Sequence, residues 1–191
     1  RQPKQRLLAV LLSRMSPVMS GSAPLPPDHA KWLKCAVEAA HGAVERGNGP
    51  FGAVIVQYDS ATNEAIRHWV DCNAVVTSCD PSAHAEVSVI RKVCAELQTV
   101  HLDSLSDPVP SYCALYSSCE PCPMCYAASR WARLPVIAYA ADRDDAERAG
   151  FVDAELYREL STGSPKGMTH VTTPHAGAPF DLFIDSTNKQ Y

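Results

Sequence analysis

Two short runs carry the residue types that bind metals and move protons: His84-Ala85-Glu86 and Pro121-Cys122-Pro123-Met124-Cys125. Cys122 and Cys125 stand three positions apart, so on one helix their sulfurs share a face and reach a single ion. His84 supplies a third ligand from a separate segment. One imidazole and two thiolates suit zinc, and three protein ligands leave the fourth tetrahedral position to water, as in a catalytic rather than a structural site. Zinc lowers the pKa of bound water to about 7, which brings hydroxide within reach at neutral pH. Glu86 lies two residues from His84, off its helical face, and need not be a ligand. From a first helical turn it still reaches the metal's water, which suits a proton carrier.

Two other uses of these residues stay open at this point. Cys119, Cys122 and Cys125 form C-x-x-C-x-x-C, a spacing that can hold an iron–sulfur cluster, although that cluster has no use for His84 and Glu86 and the usual fourth cysteine is missing. A non-catalytic zinc module that binds partners is the alternative from another class, and it has no need of the Glu86 carboxylate. The eight cysteines do not read as a disulfide framework, because 191 residues with 46% hydrophobic content build a core without staples. Their crowding near residue 122 reads as metal chemistry in a reducing, cytoplasmic setting. A net charge of −4 argues against a nucleic-acid partner. No apolar run approaches the roughly 20 residues of a membrane span.

Stepping outward, the elements that must position these groups alternate. Asp28 caps a helix from about 30 to 46, with Leu33, Val37, Ala40 and Val44 on one face and glycines 47 and 49 ending it. Residues 52–58 and 65–70 form a hairpin around the turn residues 59–63. Asp80-Pro81 opens a second helix reaching about Leu97, with Pro at its first position. Strands at 112–117 and 135–140 flank a third helix that begins at Pro121 or Pro123. A short helix at 144–149, a fifth strand at 168–172 and a terminal helix at 180–191 complete the chain. This pattern predicts a layered α/β fold, a mixed five-stranded sheet between helices, with the active groups where two helices begin. Residues 1–27, basic, then apolar from Leu7 to Leu12, then rich in Ser, Gly and Pro, read as an N-terminal tail or extension, the apolar run being short for a secretory signal.

The H-x-E and P-C-x-x-C runs together form the signature of zinc deaminases. With GPFGAVIV at 49–56, DPSAHAEVSVIRKVC at 80–94, LYSSCEPCPMC at 115–125, WAR at 131–133, AGF at 149–151 and the final Tyr191, the chain resembles the cytidine/deoxycytidylate deaminase-like superfamily and, within it, the guanine deaminase branch, from about residue 31 onward. The resemblance implies the three-layer cytidine-deaminase-like fold over 28–191 and zinc on His84, Cys122 and Cys125. It implies Glu86 as proton shuttle and Asp153 as a second acidic group acting on the substrate's polar edge or in proton transfer. It further implies Asn73 on the purine edge, Phe51 against the flat base, the Ala85 backbone N–H on a substrate carbonyl, and Trp131 and Tyr191 closing the pocket. Residue types alone allow Phe51 to be core, Asn73 a turn residue and Trp131 packing.

The branch implies hydrolysis of a purine base, guanine to xanthine and ammonia, in a homodimer whose C-terminal segment (153–191 here) crosses to the partner. Guanosine, tRNA adenosine and cytosine remain alternative substrates on the same fold. The longer first hairpin and the enlarged segments 102–111 and 161–167 depart from the branch.

Overall fold

A computed structural model of the chain describes residues 25–163 and 166–186. In chain order its elements are α1 (His29–Glu45), β1 (Gly52–Asp59), β2 (Ala65–Cys72), α2 (Val75–Ser78), α3 (Ala85–Leu97), β3 (Ser111–Cys119), α4 (Pro123–Trp131), β4 (Val136–Ala141), α5 (Arg143–Arg148), α6 (Ala154–Thr162) and α7 (Ala178–Asp185). The strands form one mixed sheet in the order β2-β1-β3-β4, with β1 antiparallel to both neighbours and β3 parallel to β4.

The sheet is buried on both faces because β1 and β3 carry apolar residues at odd and even positions alike. On one side Trp32 and Ala36 of α1 pack on Val54, Val56, Tyr58, Ala114, Tyr116 and Val136. On the other, Val89, Ile90 and Val93 of α3 pack on Ala53, Ile55, Cys113 and Leu115. The period of two then fixes a functional position. Ser117, two residues beyond Leu115, points to the α3 side.

The buried face of α1 is Trp32, Ala36, Ala40 and Ala43, which keeps Ala40 of the expected stripe but replaces Leu33, Val37 and Val44 by the residue before each, and Val44 is left exposed. Alanines win because the helix lies almost against β1: a Cβ on Gly52 would stand 2.2 Å from the Ala36 carbonyl oxygen. Asp28 precedes the helix but does not cap it with its side chain. Its carboxylate instead accepts from Trp32 Nε1 at 2.6 Å and from the Tyr58 hydroxyl at 2.8 Å, tying helix to sheet.

Three further expectations are corrected. The second helix starts at Ala85, not Pro81, because Asp80 folds into a turn, accepting from the backbone and hydroxyl of Ser82 at 2.8 and 2.7 Å. Among the described residues the sheet has four strands, not five. Residues 168–172 pair with no edge among the described residues, and Met168 and Val171 are exposed. The terminal helix runs over Ala178–Asp185 and gives way to extended backbone at Ser186. Residues 1–24 of the expected tail, and Tyr191, lie outside the described residues.

Candidate active site

His84 and Cys122 occupy equivalent places, each the extended residue immediately before a helix, α3 and α4 respectively. Both helices thus point their positive N-terminal ends at the same spot, a field that favours thiolate. Cys125, one turn into α4, is fully buried. The His84 Nδ1 atom stands 3.6 Å from Cys122 Sγ and 3.5 Å from Cys125 Sγ, and the three ligand atoms lie within 4.8 Å of one another. Tetrahedral zinc with ordinary Zn–N and Zn–S bonds requires N···S separations of about 3.6 Å. Both N···S separations therefore fit zinc held through Nδ1 of the imidazole.

Protonation tells the same story. Hydrogen bonding from the Cys125 thiol, together with His84, pulls the Cys122 thiol down to about 4. Sharing that hydrogen bond, with burial added, pushes Cys125 well above the ordinary thiol range. Thiolate, the form favoured at Cys122, is the form that binds a metal ion. The neighbouring Cys122 raises the His84 imidazole above its usual value.

Glu86 is buried, 5% exposed, at the second position of α3. Its Oε1 accepts from the Ser117 hydroxyl at 3.3 Å, and its Oε2 lies 3.4 Å from Cys125 Sγ. Burial raises its carboxyl from its ordinary value, with Cys122 adding to the effect. A buried carboxyl beside the three ligand atoms is placed to take a proton from a metal-bound water and to return it. Ser117 escaped the sequence reading, although the alternation along β3 was the signal that could have found it.

Around this centre, Asn73 is buried where β2 ends, and its N–H donates to the Phe51 carbonyl at 2.8 Å. Its Oδ1 accepts from the Val75 N–H at 3.2 Å, an Asx turn into α2. Asn48 holds that helix from the far side, accepting from the N–H groups of Val76 and Thr77 at 3.1 Å each. Phe51 is half-buried against the core and meets Phe151 edge to face at 4.9 Å. Ala85 is the first residue of α3 and fully buried. Asp153 precedes α6 and is half-buried. Burial raises its carboxyl, with a further push from Cys122. Trp131 ends α4, 68% exposed. It lies six positions beyond Cys125, about 9 Å along the axis.

Activating water on a metal with a proton carrier at hand is the province of zinc-dependent hydrolases, and a mixed sheet between helices delivering His-Cys-Cys is the frame used by the zinc deaminases. Residues 26–141 match the family described as the cytidine and deoxycytidylate deaminase zinc-binding region. The chain belongs to that family. The guanine deaminase of Bacillus subtilis (strain 168) is 40% identical over 167 residues, spanning 85% of this chain and 98% of that protein. An X-ray structure of guanine deaminase from Bacillus subtilis superposes with a TM-score of 0.71 at 40% identity, over 85% of this chain and 98% of that one. The guanine deaminase of Nitrosomonas europaea follows, with a TM-score of 0.55 at 28% identity over 70% and 69% of the two chains. The tRNA-specific adenosine deaminase of Aquifex aeolicus (strain VF5) is 34% identical over 110 residues, covering 58% of this chain and 64% of that protein.

Proposed function

We propose that the chain hydrolyses guanine to xanthine and ammonia at the His84–Cys122–Cys125 site. One observation carries the reading: ligand atoms spaced for zinc beside a buried glutamate, in a chain similar over nearly the whole length of a guanine deaminase. Zinc, when bound, supplies the Lewis acidity that makes water a nucleophile at neutral pH. The protein's own groups do the rest. Glu86 takes the two protons of the attacking water on its carboxylate in turn, one for the ring and one for the amine. It returns protons to the ring and to the departing amine as the new carbon–oxygen bond forms and the carbon–nitrogen bond breaks. Ser117 holds that carboxylate in place. Asn73 and Phe51 bind the base by its polar edge and its face, and the Ala85 N–H, at the start of α3, holds the substrate carbonyl. Asp153 takes the substrate's amino edge.

The working form on this reading is a homodimer in which the C-terminal segment that starts at 153 crosses to a second copy only after Tyr157 has met its own chain at Pro121, with Tyr191 and Trp131 closing a pocket. The exposed Leu156, Leu160, Phe180, Leu182 and Ile184 of α6 and α7 support a partner there. A cytoplasmic address suits eight unpaired cysteines, and no helix among the described residues is long and apolar enough to cross a membrane. Ultraviolet absorbance on guanine, guanosine, adenine, cytosine and cytidine tests the assignment. Turnover of guanine well above the other four is the expected result. Preference for any of the others overturns the substrate.

A further inference from the structure

The three residues leading into the ligand Cys122 are each clamped from the C-terminal side of the fold. Cys119 Sγ donates to the Asp142 carbonyl at 3.4 Å, and the Glu120 N–H donates to the Ala141 carbonyl at 2.9 Å. The Pro121 carbonyl accepts from the Tyr157 hydroxyl at 3.0 Å. The Glu120 carboxylate accepts from Arg143 Nε at 3.2 Å and from a second guanidinium nitrogen. The same guanidinium lies over the Tyr157 ring, 4.2 Å from its centroid. Tyr157 is one helical turn beyond Asp153, and its N–H donates to the Asp153 carbonyl at 3.2 Å.

From this geometry we infer that Glu120, Arg143 and Tyr157 form a latch that sets Asp153 and the Cys122 loop at a fixed distance from each other. One end of the latch is the peptide entering the metal ligand. The other is the first turn of α6, which Asp153 precedes. Stability is a poor reason for its existence. A partly exposed ion pair and one hydrogen bond to a backbone carbonyl contribute little to folding. Holding two reacting groups in register is worth more, since small displacements in an active site are costly in rate. The three latch residues are positioning residues. None touches the metal cluster.

The inference rests on the deamination reading for Asp153, and the experiment separates the two. Wild type, Tyr157→Phe, Asp153→Asn and the double variant are compared at equal zinc content. Tyr157→Phe should lower kcat by about 3- to 10-fold with KM little changed. In the Asp153→Asn background the same change should cost nothing further, because the group being positioned is gone. Equal losses in both backgrounds, or an unchanged kcat, overturn the latch. Cobalt(II) in place of zinc gives a readout free of substrate. Tyr157→Phe and Arg143→Gln should shift the thiolate-to-cobalt charge-transfer band at unchanged metal stoichiometry, and spectra that superimpose on wild type overturn the latch. Failure of the wild type to act on guanine contradicts the substrate assignment and leaves the cobalt comparison to decide the latch.

Discussion

Glu86→Gln separates proton transfer from everything else the site does. The side chain is buried among Ser117, Cys125 and His84, so the replacement must fit the same space. Gln does: its carbonyl oxygen still accepts from Ser117 Oγ, and its amide N–H group faces the Cys125 sulfur, which as a thiolate accepts. Fold and zinc content should therefore survive. What disappears is basicity. A lost general acid–base group costs about 10²- to 10⁴-fold in rate, or roughly 3–5 kcal/mol of transition-state stabilisation. One carboxyl that serves several transfers sits at the upper end. The assay is initial-rate absorbance on guanine, with zinc measured on the same sample. A variant that loses its zinc makes Glu86 a ligand and refutes the geometry. One that keeps zinc and near-normal turnover refutes the role, with Asp153 the next group to test. The metal-free proteins give a second check. Burial raises the Glu86 carboxyl in the fold, so its contribution is full below its unfolded value and is lost as pH rises through the raised one. The metal-free variant should melt close to metal-free wild type in acid and increasingly above it towards neutral pH.

Other perturbations reach different parts of the account. Gly52→Ala places a Cβ 2.2 Å from the Ala36 carbonyl and 2.5 Å from the Ala40 nitrogen, so urea unfolding should show a loss of about 3 kcal/mol or more. A loss under about 1 kcal/mol would mean the α1–β1 contact is not tight. Asn73→Ala should lower kcat/KM by the equivalent of about 1–3 kcal/mol, and stability by about 1 kcal/mol through the lost Val75 contact. Normal kcat/KM in a less stable protein would leave Asn73 a turn residue alone. Deleting residues 189–191 should cut turnover with zinc retained, and subunit exchange with Glu86→Gln should restore part of it. No recovery after proven exchange argues against a crossed tail.

The site was more legible than the frame around it. His84, Glu86, Cys122 and Cys125 could be read from type and spacing because tetrahedral zinc chemistry accepts few alternatives, and the structure brings all four together. The β1–β2 hairpin and β3 were legible through their apolar runs and the turn at Asp59, whose carboxylate accepts from the N–H groups of Ala61 and Thr62. The face of α1 was not, because hydrophobicity favours Leu33 and Val44 while the close approach at Gly52 selects alanine. The start of α3 was misplaced because Asp-Pro signals a turn as well as a helix start, and only the Ser82 contacts decide between them. Helices α2 and α6 have no buried residues, hence no core periodicity to read. Arg143 and Glu120, 23 positions apart, meet only once the fold exists.

The central claim is that the metal held by His84, Cys122 and Cys125 makes this chain a guanine aminohydrolase. Its most direct test is titration of zinc back into chelated protein while xanthine and ammonia are both quantified from guanine. The two products should appear in equal amounts, and turnover should rise in proportion to bound zinc until each chain holds one ion. Turnover that survives complete zinc removal, or a fully loaded protein that yields no xanthine, would contradict it.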